Sequence, residues 1–199
     1  MADSRVTLAH YGRKLLIKEE QYNHAIPFPD YLLPYVMGKK ELMVADLGAG
    51  PFSTVGTKLD GCKVTLIPSD ILAEEFRDMC DHAGIKQYIP VEYQNMTRMR
   101  YPDETFDIVH CVNAIDHVLD IRSALHEMNR VCKTNGVIYL RHYQNQGEKK
   151  NYCGFHRWNI ELSEHDCRIW NEDESFFLDD LLPFCTMQDG RMIVSVMVK

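Results

Sequence analysis

A glycine turn directly after a buried strand constrains this chain more than any other feature. An apolar run at residues 42–47 leads into Asp46-Leu-Gly-Ala-Gly50, where glycines occupy alternate positions. Glycine is needed where the backbone turns tightly and lets a ligand approach bare amide groups. Asp46 adds a carboxylate at the strand tip, where it can grip a cationic or hydroxyl-bearing ligand. A strand, a glycine turn and a helix start together predict a nucleotide-type pocket.

The chain beyond this turn alternates apolar strands with amphipathic helices. Further strands are predicted at residues 64–67, 89–93, 106–112 and 137–143, and helices at residues 72–83 and 120–132. This alternation predicts a parallel sheet with helices on both faces.

The two ends of the chain follow other patterns. Residues 1–40 read as a helical preface that can act as a lid, interrupted by three prolines, and residues 41–199 as the single ligand-binding domain. Residues 176–184 read as a short helix. The Asp189-Gly190 dipeptide is a strong hairpin signal, so residues 192–198 are predicted to form a final antiparallel strand.

The composition excludes several classes of partner. A net charge of -7 disfavours a nucleic-acid-binding surface. No stretch approaches the roughly 20 apolar residues that a membrane span needs. The seven cysteines are scattered without a C-x-x-C pair, a pattern typical of free thiols in a reducing compartment. We therefore expect a cytoplasmic protein without nucleic-acid or membrane partners.

Polar side chains follow the predicted strands at the edge where such sheets bind ligands. Asp70 follows the second strand and can accept hydrogen bonds from both hydroxyls of a ribose. After the third strand, Asn95 offers an amide oxygen to an adenine amino group, and Met96 offers a thioether to pack on the ring. Asn113 follows the fourth strand. Together these residues predict an adenosine site.

These motifs resemble those of the class I S-adenosylmethionine-dependent methyltransferases over roughly residues 40–143. In that family the first strand ends in D-x-G-x-G and an acid after the second strand binds ribose. Phe52 stands where a third glycine is usual, and residues 130–136 resemble the family's R-V-L-K-P-G-G turn. The resemblance implies an α/β fold, with a Rossmann-like, mostly parallel sheet that ends in an antiparallel hairpin. It also implies S-adenosyl-L-methionine as cofactor, bound by Asp46, Gly48, Ala49, Gly50, Asp70, Ile71, Asn95, Met96 and Asn113.

His117 and Asp116 are the candidate catalytic residues. Methyl transfer to a hydroxyl needs a base, and His117 lies just past the fourth strand with Asp116 beside it. Packing or capping of the next helix explains His117 equally well. His142 and His156 can line the acceptor side. No strand-end carboxylates form an evident Mg²⁺ cluster, so no metal is predicted.

Missing motifs narrow the acceptor. Asn113-Ala-Ile-Asp116 does not supply the D/N-P-P-Y tetrad of amino methyltransferases acting on adenine or glutamine, and the chain has no Pro-Cys dipeptide of cytosine-5 enzymes. A small molecule or a glycan, methylated on oxygen or nitrogen, is the acceptor that we expect. Two other functions stay open: a non-catalytic methyltransferase-like partner subunit, and an NAD(P)-dependent oxidoreductase built on the same sheet.

Overall fold

The computed structural model describes residues 26–164 and 166–199. The helices are α1 (Ala73–His82), α2 (Ile121–Val131) and α3 (Gln146–Lys149), with 3₁₀ turns at Asp30–Tyr35, Ile115–His117 and Leu178–Asp180. The strands are β1 (Glu41–Leu47), β2 (Lys58–Leu59), β3 (Cys62–Asp70), β4 (Glu92–Tyr93), β5 (Phe106–Val112), β6 (Cys132–Tyr143), β7 (Asn159–Leu162), β8 (Cys167–Trp170), β9 (Ser175–Phe177), β10 (Cys185–Asp189) and β11 (Met192–Val198).

The central sheet has eight strands in the order β10-β11-β6-β5-β1-β3-β2, with β4 also paired to β3. Strands β1, β3, β4, β5 and β6 run parallel, and β11 runs antiparallel to both β6 and β10. The predicted α/β sheet with a C-terminal antiparallel hairpin is confirmed. Because the central strands are parallel, their carboxyl ends meet at one edge of the sheet.

The buried side chains form two clusters on opposite faces of this sheet. Ala45 belongs to the cluster that contains the apolar stripe of α2, whereas its neighbour Val44 belongs to the cluster that contains Leu32 of the first 3₁₀ turn. Successive residues of a strand point to opposite faces, so both faces of β1 are covered. This double burial explains why β1 is a nearly continuous apolar run.

Helix α2 begins where its sequence predicts. The side chain of Asp120 accepts a hydrogen bond from the backbone N–H of Ser123 at 3.0 Å, which is the expected N-cap contact. The apolar stripe is buried as predicted, at Ile121, Ala124, Leu125, Met128 and Val131. This face of the helix therefore lies in the hydrophobic core.

The predicted helix at residues 176–184 is wrong. The structure has β9 there, followed by a short 3₁₀ turn, and β9 completes a separate antiparallel sheet in the order β7-β8-β9. Phe176 and Leu178 are buried while Phe177 between them is exposed, which is the alternation of a strand. Residues 175–177 therefore form a strand because they pair with β8, although the local sequence pattern predicts a helix.

Only part of the N-terminal preface, from residue 26 onward, lies within the described residues. Residues 1–25 lie outside the described residues, so the lid remains a prediction there. In the described part of the preface, Phe28, Leu32 and Val36 are buried in the core.

All seven cysteines carry free thiols, as the sequence predicts. Among the described residues, no helix has both the length and the apolar character needed to cross a membrane.

Candidate active site

A cavity of about 270 Å³ opens at the carboxyl edge of the sheet. Seven residues that the sequence assigns to the site line it: Gly48, Asp70, Ile71, Asn95, Met96, Asn113 and His117. Four others assigned to the site do not line it: Asp46, Ala49, Gly50 and Asp116. The first group lines the cavity, and the second group lies outside its lining.

Gly48 is a position that a larger residue cannot occupy. Its φ is +70°, and a Cβ built there would lie 2.2 Å from the Cβ of Ala114 and 2.9 Å from the Cε of Met96. Its N–H donates to the carbonyl of Ser69 at 2.8 Å, which ties the turn to the end of β3. The bare backbone of Gly48 therefore forms part of the cavity floor.

Asp70 fixes the loop and keeps capacity for a ligand. One carboxylate oxygen accepts the N–H of Gly50 at 3.0 Å and the other accepts that of Leu72 at 2.9 Å. Burial raises the pKa of Asp70, although these hydrogen bonds oppose the shift. The backbone N–H of Ile71 also acts on this carboxylate, so of its roughly four lone-pair sites at least one remains for a ligand hydroxyl. The predicted ribose contact fits this geometry.

Asp46 does not face the cavity, contrary to the expectation that it grips a ligand. Its Oδ1 atom lies 2.7 Å from Nδ1 of His110, and its Oδ2 accepts the hydroxyl of Ser53 at 2.6 Å. The Nε2 atom of His110 lies 3.1 Å from the hydroxyl of Tyr31. Asp46 does not line the cavity, and both of its carboxylate oxygens have partners inside the protein, so it supports the glycine turn.

Asn95 and Asn113 are engaged in local contacts. The Oδ1 atom of Asn95 accepts both the N–H and the hydroxyl of Thr97, at 3.0 and 2.9 Å. Thr97 therefore engages both lone pairs of this oxygen, which leaves none for the adenine amino group that the sequence predicts as its partner. Asn113, at φ +53°, accepts the N–H of Tyr143 at 3.1 Å. Met96 and Ile71 leave apolar surface in the cavity.

Three side chains meet where the cavity reaches the turn after β5. The Oδ2 atom of Asp116 lies 2.7 Å from Nδ1 of His156 and 3.6 Å from Nε2 of His117. The two ring nitrogens are 3.3 Å apart. Asp116 is buried, whereas both histidines are partly exposed. Asp120, in contrast, only caps α2.

The backbone holds this group together. The carbonyl of Asp116 accepts the N–H groups of Arg157 and Trp158, at 2.9 and 3.2 Å. The indole N–H of Trp158 donates to the carbonyl of Val118 at 2.8 Å. His156 follows His117 by 39 residues, so the sequence contains no local signal that the two meet. We define Asp116, His117 and His156 as the Asp–His–His cluster.

Burial and charge set the protonation of these groups. Burial raises the pKa of Asp116, but the hydrogen bond from His156 and the nearby histidines outweigh it, and the pKa is lowered overall. Burial lowers the pKa of His117, partly offset by Asp116. Burial also lowers the pKa of His142 to about 4. Within the described ranges, neither ring nitrogen of His142 has a hydrogen-bond partner.

Comparisons with known proteins agree on the class of this domain. The model of the methyltransferase-domain family matches residues 46–140. The chain is 29% identical over 123 residues to sterol 24-C-methyltransferase erg6 of Aspergillus fumigatus, covering 60% of this chain and 33% of that protein. It is 30% identical over 138 residues to the probable methyltransferase ltbC of Aspergillus luteorubrus, covering 63% and 47%. The chain thus spans between a third and a half of the length of these curated relatives.

A solved structure supports the same fold. The crystal structure of a SAM-dependent methyltransferase from Aquifex aeolicus has a TM-score of 0.55 and 14% identity, covering 94% of this chain and 96% of that one. The Rossmann-like sheet and the C-terminal hairpin give the chain the fold of that S-adenosylmethionine-dependent methyltransferase. Residues 46–140 match the methyltransferase-domain family, so this part of the chain is a methyltransferase domain of the S-adenosylmethionine-dependent class.

The cavity fits S-adenosyl-L-methionine, the cofactor of that family. Gly48 presents bare backbone at the cavity wall, because Ala114 and Met96 leave no room there for a side chain. Asp70 would accept a hydrogen bond from a ribose hydroxyl with the lone-pair capacity that the backbone N–H groups leave free. Met96 and Phe76 line the cavity and would offer apolar surface to an adenine ring. Asn95 can contribute its Nδ2 donor, since its oxygen is engaged by Thr97.

Proposed function

We propose that the protein transfers a methyl group from S-adenosyl-L-methionine to a hydroxyl of a small molecule or glycan. One observation carries this proposal: a single cavity joins a ribose-type acid, Asp70, to a polar residue of the Asp–His–His cluster, His117. An adenosine at the Asp70 end leaves the His117 end for the methyl acceptor.

Different residues of the chain bind the cofactor and assist proton loss from the acceptor. When bound, the cofactor supplies an electrophilic sulfonium methyl, so that a C–O bond forms on the acceptor as the C–S bond breaks. Asp70 and Gly48 hold and orient it, which is the main contribution proteins make to such a step. The Asp–His–His cluster faces the acceptor hydroxyl through His117 and assists the loss of its proton. Asp116, buried behind His117, orients the cluster.

The mouth of the cavity suits a modest organic acceptor. Val118, Leu119 and Phe155 line it next to His117, so apolar surface surrounds the reacting group. The net charge of -7 argues against a nucleic-acid acceptor. The seven free thiols support a place in the cytoplasm. We include both the acceptor class and the cytoplasmic location in this proposal.

Labelled cofactor tests the proposal. The protein should transfer a labelled methyl group to a member of a small-molecule or oligosaccharide pool, identified by its mass shift. His117→Ala should lower that rate by about 100-fold or more, the usual contribution of an assisted proton transfer. The same variant should bind S-adenosylhomocysteine nearly as the wild type does. His126→Ala, on the exposed face of α2, is the matched control and should keep the full rate.

Two results would overturn this proposal. Binding of S-adenosylhomocysteine without transfer to any acceptor would favour the partner-subunit alternative. Equal loss of transfer and of cofactor binding in His117→Ala would mean that His117 only supports the structure.

A further inference from the structure

The ligand atoms of the Asp–His–His cluster converge on one point. Oδ2 of Asp116, Nδ1 of His156 and Nε2 of His117 form a triangle with sides of 2.7, 3.3 and 3.6 Å. We infer that the cluster binds a divalent first-row transition-metal cation beside the methyl-transfer cavity.

The size of the triangle matches a metal site. Atoms that each lie about 2.1 Å from one ion are about 3.0 Å apart at a right angle, and about 3.4 Å apart at a tetrahedral angle. The three observed sides bracket both values. An ordinary Asp–His hydrogen bond explains the 2.7 Å side alone. A hydrogen bond between the two ring nitrogens accounts separately for the 3.3 Å side, whereas one cation accounts for the approach of Nε2 of His117 to both of the other atoms.

The type of ligand selects the type of cation. Two imidazoles and one carboxylate form the set that binds iron, zinc and related ions on one side, leaving the other positions open. Mg²⁺ and Ca²⁺ prefer oxygen ligands only, so two ring nitrogens disfavour them. Sequence reasoning predicts no metal because it considers strand-end carboxylates, whereas two of the three ligands here are histidines from separate segments.

The protein holds the three groups in place. The segment of His156 is fixed to the turn of Asp116 by the backbone bonds from Arg157 and Trp158. The indole of Trp158 adds a bond to Val118 on the other side of His117. Such support outside the ligands is what keeps a metal site in register.

The open side of the site faces the acceptor. Asp116 is buried and does not line the cavity, whereas His117 does, so the free coordination positions lie toward the cavity. Resting on the proposed function, this gives the cation a role: it binds the acceptor's hydroxyl oxygen and lowers its pKa, as bound metals do for water. The proton would pass to water at the open end of the cavity, since Nε2 of His117 would be engaged by the cation, and the C–O bond would form as the C–S bond of the cofactor breaks.

Metal titration of the untagged, chelator-treated chain tests the inference. Calorimetry with CoCl₂ or ZnCl₂ should show one equivalent bound per chain. His156→Ala should weaken that binding by about 100-fold or more, because loss of a supporting contact alone costs 10–100-fold. His126→Ala, which removes an exposed histidine of α2, should bind as the wild type does. Asp116→Asn, a variant of nearly unchanged shape, should also lose affinity.

The outcomes separate this inference from the proposed function. Failure to bind one equivalent, or equal binding by wild type and His156→Ala, overturns the metal site. Metal held by the exposed thiols of Cys153 and Cys185 would give the second of these results. Titration with S-adenosylhomocysteine in the same samples monitors the cofactor site and the fold. Its failure, with metal binding intact, would overturn the proposed function instead.

Discussion

Two aspartates at the ends of neighbouring strands have different roles: one makes contacts inside the protein and the other faces the cavity. Asp46 points inward to His110 and Ser53, whereas Asp70 holds the glycine turn and faces the cavity. The sequence predicts a ligand contact for both because each follows an apolar strand. Their separation depends on His110, which lies 64 residues from Asp46 and offers no local signal.

Asp70→Ala should weaken binding of S-adenosylhomocysteine by about 1–3 kcal/mol, the range for hydrogen bonds lost at a buried site. The variant removes the ribose partner and also frees the N–H groups of Gly50 and Leu72. Calorimetric titration measures the change. Asp81→Ala, on the exposed end of α1, is the control and should leave affinity unchanged. Equal affinity in the two variants would show that the ribose site is misassigned.

His142 should make the fold sensitive to acid. Burial lowers its pKa from 6.5 to about 4, with Asp116 opposing the shift and the charges of His117 and His110 adding to it. Between pH 6.5 and about 4, His142 is therefore protonated in the unfolded chain but neutral in the folded one. Its contribution to the free energy of unfolding is fully present above this range and is lost as the pH falls through it, by about 3 kcal/mol in total.

Replacement by an apolar residue isolates this effect. Urea unfolding of wild type and His142→Leu at a series of pH values should give two curves of different slope. The wild type should lose about 3 kcal/mol more than the variant as the pH falls through the window. Parallel curves would show that His142 is not held neutral in the folded protein.

The glycine turn acts as one element with β1, β3 and the segment after β5. Gly48 touches Ala114 of that segment and Met96 of the loop after β4, so one added methyl group disturbs three parts of the site. The sequence predicts the need for glycine here, but the structure supplies the reason. The neighbouring side chains, as well as the positive φ, leave no room for a Cβ.

Gly48→Ala should reduce affinity for S-adenosylhomocysteine by about tenfold or more, because overpacking costs about 1–3 kcal/mol and the turn must shift. Gly61→Ala is a matched control. Its φ is +73°, close to that of Gly48, but no atom lies within 4 Å of its Cβ position. It should lose only some stability from backbone strain and keep its affinity. Similar affinities in both variants would contradict the close approach at Gly48.

At the scale of the whole molecule, the sequence predicts what depends on local patterns. The parallel strands, the Asp120 cap and the Asp189-Gly190 hairpin follow from periodicity and turn chemistry, and all are found. Contacts between distant segments are beyond such patterns. The cluster depends on His156 reaching Asp116, which lies 40 residues away in the chain. The hairpin that pairs Ile169 with Phe176 is local, but its turn at residues 171–174 contains no glycine or proline to indicate it.

The central claim is that this cavity binds S-adenosyl-L-methionine and its product. The most direct test is calorimetric titration of the wild-type chain with S-adenosylhomocysteine and, separately, with NAD. The account predicts heat of binding at one site per chain for S-adenosylhomocysteine, weakened in Asp70→Ala and in Gly48→Ala, and none for NAD. Binding of NAD in its place, or of neither ligand, would contradict it.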